Sequence, residues 1–135
     1  MGRIVAIDYG KKRIGLAVSD KERKIALPVQ TVEGGKKALQ NIRASLPLKE
    51  VDLILVGLPL EMSGARGEMS QVVEEFAKML ENALNIPVQL IDERLTSKGA
   101  DSKLRELSLS RKARTEKLDM VAACMLLQTY LDQSI

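Results

Sequence analysis

Histidine is absent from the chain, and with it go Ser-His-Asp triads, histidine general bases and histidine-ligated zinc. One cysteine, Cys124, excludes an intrachain disulfide and a cysteine-cluster metal site. It sits in an apolar helical run and reads as a packed core residue. Tryptophan is also missing, and Tyr9, Phe76 and Tyr130 are the only aromatics, too few for a platform that stacks bases. No apolar stretch approaches the roughly 20 residues that span a bilayer. The N-terminus runs straight into a strand pattern without the apolar segment and cleavage site of a signal peptide. The expectation is a cytoplasmic chain with no membrane attachment. Any hydrolytic chemistry must rest on carboxylates, lysine, arginine, tyrosine or hydroxyls, assisted by a hard metal ion.

What is present suits a single α/β domain over residues 1–135, long enough to bury a core of Val, Ile, Leu and Ala. The net charge is only +3, but it is unevenly spread. Residues 1–24 carry seven Lys or Arg against three acids, and residues 98–117 repeat that ratio. Residues 61–95 reverse it, with seven acids against Arg66, Lys78 and Arg94. If the two basic ends meet in the fold, they make a positive face for phosphate backbones; otherwise they are ordinary solvated surface. A duplex or structured nucleic acid, held by its phosphates, fits the scarcity of aromatics.

The chain is organised around Arg3 to Asp20. Ile4-Val5-Ala6-Ile7 is apolar on consecutive positions, as in a central strand covered on both faces, and it ends on Asp8. A turn, Tyr9-Gly10-Lys11-Lys12, leads through Arg13 into a second apolar strand, Ile14 to Val18. Asp8 either begins the turn or lies at a sheet rim where open α/β sheets bind ligands. Ile25 to Val32 reads as a third strand, held to an edge by Pro28. Lys36 to Leu46 has helical spacing ended by Pro47, and Asp52 to Gly57 is another buried strand. A glycine-rich loop from Glu61 to Gly67 precedes an amphipathic helix, Glu68 to Leu84. Val88 to Ile91 is a short strand finishing on Asp92-Glu93-Arg94, and Thr96 caps a helix to about Leu107. Ser108 to Thr115 is basic and poorly patterned, which predicts a mobile loop before an apolar helix from Leu118 to Leu131. The order βββαβαβαα calls for a mixed five-stranded sheet with right-handed crossovers and flanking helices.

Three acids stand out: Asp8 ending the first strand, Glu93 just past the last, and Asp119 near the start of the final helix. Strand ends share rims, and a helix returning over the sheet can bring Asp119 to the same place. Carboxylates converging from separate elements are what Mg²⁺ or Mn²⁺ requires; two such ions can activate water for phosphodiester cleavage. Each acid also has a structural reading. Glu93 can pair with Arg94 or a lysine, and Asp119 can answer the helix dipole. Asp119 nonetheless interrupts an apolar helix and needs a partner there. Strand alternation puts Asp92 on the face opposite Glu93, and Glu116 lies one turn before Asp119.

Asp8-Tyr-Gly-Lys-Lys-Arg13-Ile-Gly15-Leu-Ala17-Val-Ser19-Asp20 resembles the opening motif of the YqgF (RuvX) family. Gly57-Leu-Pro-Leu60, Asp92-Glu-Arg-Leu-Thr96, Asp119-Met-Val-Ala-Ala123 and Leu127-Gln-Thr-Tyr-Leu131 are similar to its other signatures, in order. The resemblance covers essentially the whole chain. It implies an RNase H-like fold related to the Holliday-junction resolvase RuvC, and a nuclease that matures the 5′ end of pre-16S ribosomal RNA in ribosome biogenesis. It also implies Asp8, Glu93 and Asp119 as catalytic metal ligands for Mg²⁺ or Mn²⁺. Lys12, Arg13 and Arg94 would then contact phosphates, with Arg111, Lys112 and Arg114 gripping the flanking backbone. Gly10 and Gly15 would leave room for that backbone to approach. Glu61-Met62-Ser63-Gly64 departs from the Asn-Met-Asp-Gly usual in the family, and Ala122 stands where RuvC-type sites carry a fourth acid. Two other readings stay open: a resolvase of four-way DNA junctions, which needs a homodimer rather than a monomer, and a non-catalytic RNA-binding assembly factor.

Overall fold

The computed structural model describes residues 2–59, 67–92 and 111–133, with side chains in the last stretch from residue 118 onward. Strands β1 (Arg3–Asp8), β2 (Arg13–Ser19) and β3 (Ala26–Glu33) form an antiparallel meander. Helix α1 (Ala38–Ser45) leads to β4 (Val51–Leu58), and α2 (Glu68–Leu84) to β5 (Val88–Asp92). The long α3 (Arg111–Gln133) closes the fold. In the sheet the strands lie in the order β3-β2-β1-β4-β5, with β4 parallel to β1 and β5 parallel to β4. This is the expected mixed five-stranded sheet. The helix expected after Thr96 lies outside the described residues.

The unbroken apolar run of β1 has its reason in this order, because β1 is central and both its faces are covered. Ile4, Val5, Ala6 and Ile7 are no more than 1% exposed. On one face Val5, Ile7, Ile14, Leu16, Ile54 and Val56 pack with Ile42, Phe76 and Leu80 from α1 and α2. On the other, Ile4, Ala6, Ala17 and Leu55 pack with Ala123, Leu126, Leu127 and Leu131 of α3. Each face therefore draws on alternate residues of the same strands, as the strand's two-residue period demands.

Pro28 sits in edge strand β3, where its missing N–H breaks no ladder between two neighbours. The β2–β3 register shifts between Leu16 and Ala17 beside it. Asn85 ends α2 in the left-handed conformation (φ 58°), its N–H bonding the Glu81 carbonyl at 2.9 Å.

One expectation is corrected. Residues 111–115 are helical, and α3 begins at Arg111 rather than at Leu118. Arg, Lys, Ala and Glu are strong helix formers, and no Gly or Pro interrupts residues 111–133.

Candidate metal and nucleic-acid site

Strand parity places the site. Ile4 and Ala6 pack toward α3, so Asp8, two residues further along β1, lies on the α3 face of the sheet. Its register partner on β2 is Gly15, and Thr31 pairs with Gly15 from the other side. Directly over Gly15 runs α3. A Cβ built there would lie 2.0 Å from the Asp119 carbonyl oxygen and 2.9 Å from the Met120 nitrogen. Only glycine allows the helix backbone to come this close. Asp8 and Asp119, 111 residues apart, are thereby brought to one spot at one rim of the sheet. The backbone for which Gly15 leaves room is therefore the protein's own. The same holds at Gly10, where a Cβ would meet the Arg13 carbonyl at 2.4 Å.

This rim gathers the ends of β1, β4 and β5, since Ile7 pairs with Val56 and Leu58 with Asp92. On β5, Val88 belongs to the α1–α2 face and Ile91 to the α3 face. Asp92 therefore points away from the site by parity. Glu93 and Arg94 lie outside the described residues, as do Glu61, Ser63 and the rest of the loop that departs from the family pattern. Tyr9 secures the turn that follows Asp8, its ring centroid 4.3 Å from that of Phe76 on α2.

The Asp119 carboxylate has the partner its apolar helix demands. Arg13 donates from Nε to Asp119 Oδ2 at 2.9 Å. Burial raises the Asp119 carboxyl above its ordinary range, and the hydrogen bond and charge of Arg13 only partly oppose this. Arg13, the expected phosphate contact, here joins the strand to the helix acid. It also lines a cleft of about 800 Å³ with Lys11, Lys12, Gln30, Thr31 and Met120. Sequence reading had no means to find Thr31 or Met120, because register and helix docking bring them there. Lys11 was legible as the first cation of a Lys-Lys-Arg run.

The helical backbone at Arg111, Lys112 and Arg114 continues α3 past Asp119 toward this rim. Ala122, in the position of a fourth acid, is 4% exposed and apolar. Among the described residues no three carboxylate, cysteine or histidine side chains cluster as a metal site. Asp8 and Asp119, whose backbones meet at Gly15, carry oxygen donors of the kind Mg²⁺ and Mn²⁺ prefer. Cys124 is half-buried among apolar neighbours, which push its thiol up to about 11, the state of a packing residue.

Comparison with known proteins shows the family and the fold. Residues 2–133 match the RuvX family, described as Holliday junction resolvase. The chain belongs to that family. A protein of Protochlamydia amoebophila is 42% identical over 139 residues, covering 96% of this chain and 93% of its own length. One from Chloroflexus aurantiacus is 42% identical over 131 residues, covering 96% and 86%. Both are named "Putative pre-16S rRNA nuclease". Among solved structures, the fowlpox virus resolvase bound to Holliday junction DNA aligns with a TM-score of 0.58 at 13% identity, covering 97% of each chain. RuvC of T. thermophilus with a Holliday junction substrate aligns at 0.53 and 16% identity, covering 99% of this chain and 97% of that one. These likenesses show the RNase H-like fold of the resolvases.

Proposed function

We propose that this chain is a nuclease that uses Mg²⁺ or Mn²⁺ to cleave phosphodiester bonds of pre-16S ribosomal RNA near its 5′ end. The observation that carries this reading is the convergence of Asp8 and Asp119 through the Gly15 contact. The names of relatives 42% identical over nearly the whole chain point to that substrate. Asp8, Asp119 and, by motif position, Glu93 would hold the metal. When bound, such an ion neutralises charge on the phosphate and acidifies the attacking water.

This chain's own groups do the rest. The close packing of α3 on β2 fixes the backbones that carry the two carboxylates relative to each other. Tyr9 against Phe76 holds the β1–β2 turn in place. Lys11, Lys12 and Arg13 give the adjacent cleft a positive rim for the phosphates beside the scissile one. Asp8→Asn should lower cleavage of 5′-extended pre-16S RNA in Mn²⁺ at least about a hundredfold, or ~2.7 kcal/mol, with an unchanged circular-dichroism spectrum. Undiminished cleavage would remove Asp8 from the chemistry.

The family description and the resolvase fold favour a second reading, cleavage of four-way DNA junctions. That activity needs two sites in a symmetric dimer, so a strict monomer by light scattering that leaves junctions intact rejects it. Binding of precursor RNA without cleavage or Mn²⁺ uptake would instead identify an assembly factor.

A further inference from the structure

We propose that Arg13 is a displaceable counter-ion that keeps Asp119 closed to metal until a nucleic-acid phosphate in the neighbouring cleft draws it away. Substrate and metal would then bind cooperatively. The inference rests on the reading of Asp119 as a metal ligand.

The Arg13 guanidinium stands between two anion seats. One is the Asp119 carboxylate, at 2.9 Å from Nε. The other is the cleft that Arg13 lines together with Lys11 and Lys12, three cations against the single carboxylate of Glu33. The two partners are unequally held: the Asp119 side chain is 21% exposed and fixed on α3, whereas that of Arg13 is 42% exposed. The arginine is thus the member free to swing. It cannot yield its place by losing a proton, because a guanidinium stays charged in proteins. It can leave the carboxylate only by moving.

A divalent cation and Arg13 compete for the same carboxylate by like charge. A phosphate and Asp119 compete for the same guanidinium, and the planar fork suits a phosphate at least as well. Each ligand therefore removes the obstacle to the other. Coupling of this kind is reciprocal: if RNA raises the affinity for metal, metal raises the affinity for RNA by the same factor. A half-exposed ion pair is weak, so the coupling should be about fivefold rather than a thousandfold. The device would spare the enzyme from holding a loaded metal site when no substrate is present.

The test is Mn²⁺ titration of the metal-free 135-residue chain, read from the electron paramagnetic resonance signal of free Mn²⁺. It is run with and without pre-16S RNA carrying phosphorothioates, which keep the backbone charge and slow hydrolysis. Wild type should bind Mn²⁺ about fivefold more tightly with RNA present. Arg13→Gln should bind it about fivefold more tightly than wild type without RNA, and gain nothing further when RNA is added. Arg13→Lys keeps the charge and should retain the RNA dependence. Arg13→Gln affinity equal to or below wild type overturns the proposal, provided Asp119→Asn weakens Mn²⁺ binding. If Asp119→Asn leaves Mn²⁺ affinity unchanged, the metal assignment itself fails, and the gate with it.

Discussion

Asp119 shows how one side chain can be costly to the fold and useful to the site. Its carboxyl is raised above the ordinary value of 3.8, chiefly by burial, with Arg13 opposing. In the range between that value and the raised one, the folded protein binds more protons than the unfolded chain. Stability must then fall as pH rises through the range, and the loss persists above it. Asp119→Asn removes the ionisation. In EDTA at neutral pH this variant should melt at a higher temperature than wild type, and its advantage should vanish as the pH falls below about 4. Thermal denaturation across pH 3 to 8 tests this, and an Asn variant that is less stable at neutral pH would show that the Arg13 pair outweighs burial. Sequence reading found the acid and its need for a partner. It could not name Arg13, because a contact spanning 106 residues depends on how helix and strand dock.

The decisive contact between elements is that of α3 with β2. Gly15 lets the helix backbone fall onto the strand, with no space for even a methyl group. Gly15→Ala should therefore push the helix away at the level of Asp119, at a cost of about 1–3 kcal/mol, the usual range for overpacking. Urea denaturation would read the stability change. Mn²⁺ affinity should fall more than stability alone explains, since Asp8 is Gly15's register partner. The patterns of β1, β2 and β4 were legible because burial on both faces leaves no polar alternation to misread. The start of α3 was not, because residues 111–115 carry basic and polar side chains without an apolar stripe.

For the whole molecule, the uneven charge gains meaning from the topology. The basic Lys11-Lys12-Arg13 run lies at the rim toward which the Arg111–Arg114 turn of α3 extends. Replacing Arg111, Lys112 and Arg114 together by alanine should weaken RNA binding and flatten the plot of log affinity against log salt. Each lost phosphate contact should lower the slope by roughly 0.7–0.9. An unchanged slope would place that turn away from the nucleic acid. Of the described residues, no helix is long and apolar enough to cross a membrane.

Read alone, the residues determined the class of chemistry and the order of the elements. Without histidine, and with one cysteine, a hydrolytic site was left to carboxylates, lysine, arginine, tyrosine or hydroxyls. Consecutive apolar residues marked the central strands because both faces of those strands are covered. Tertiary structure decided which groups meet. It set Asp8 and Asp119 on the same face through a two-residue strand period and a glycine without a Cβ. It also gave Arg13 to Asp119, a pairing that no local pattern encodes, because side chains so distant in sequence are matched only when the sheet and α3 pack.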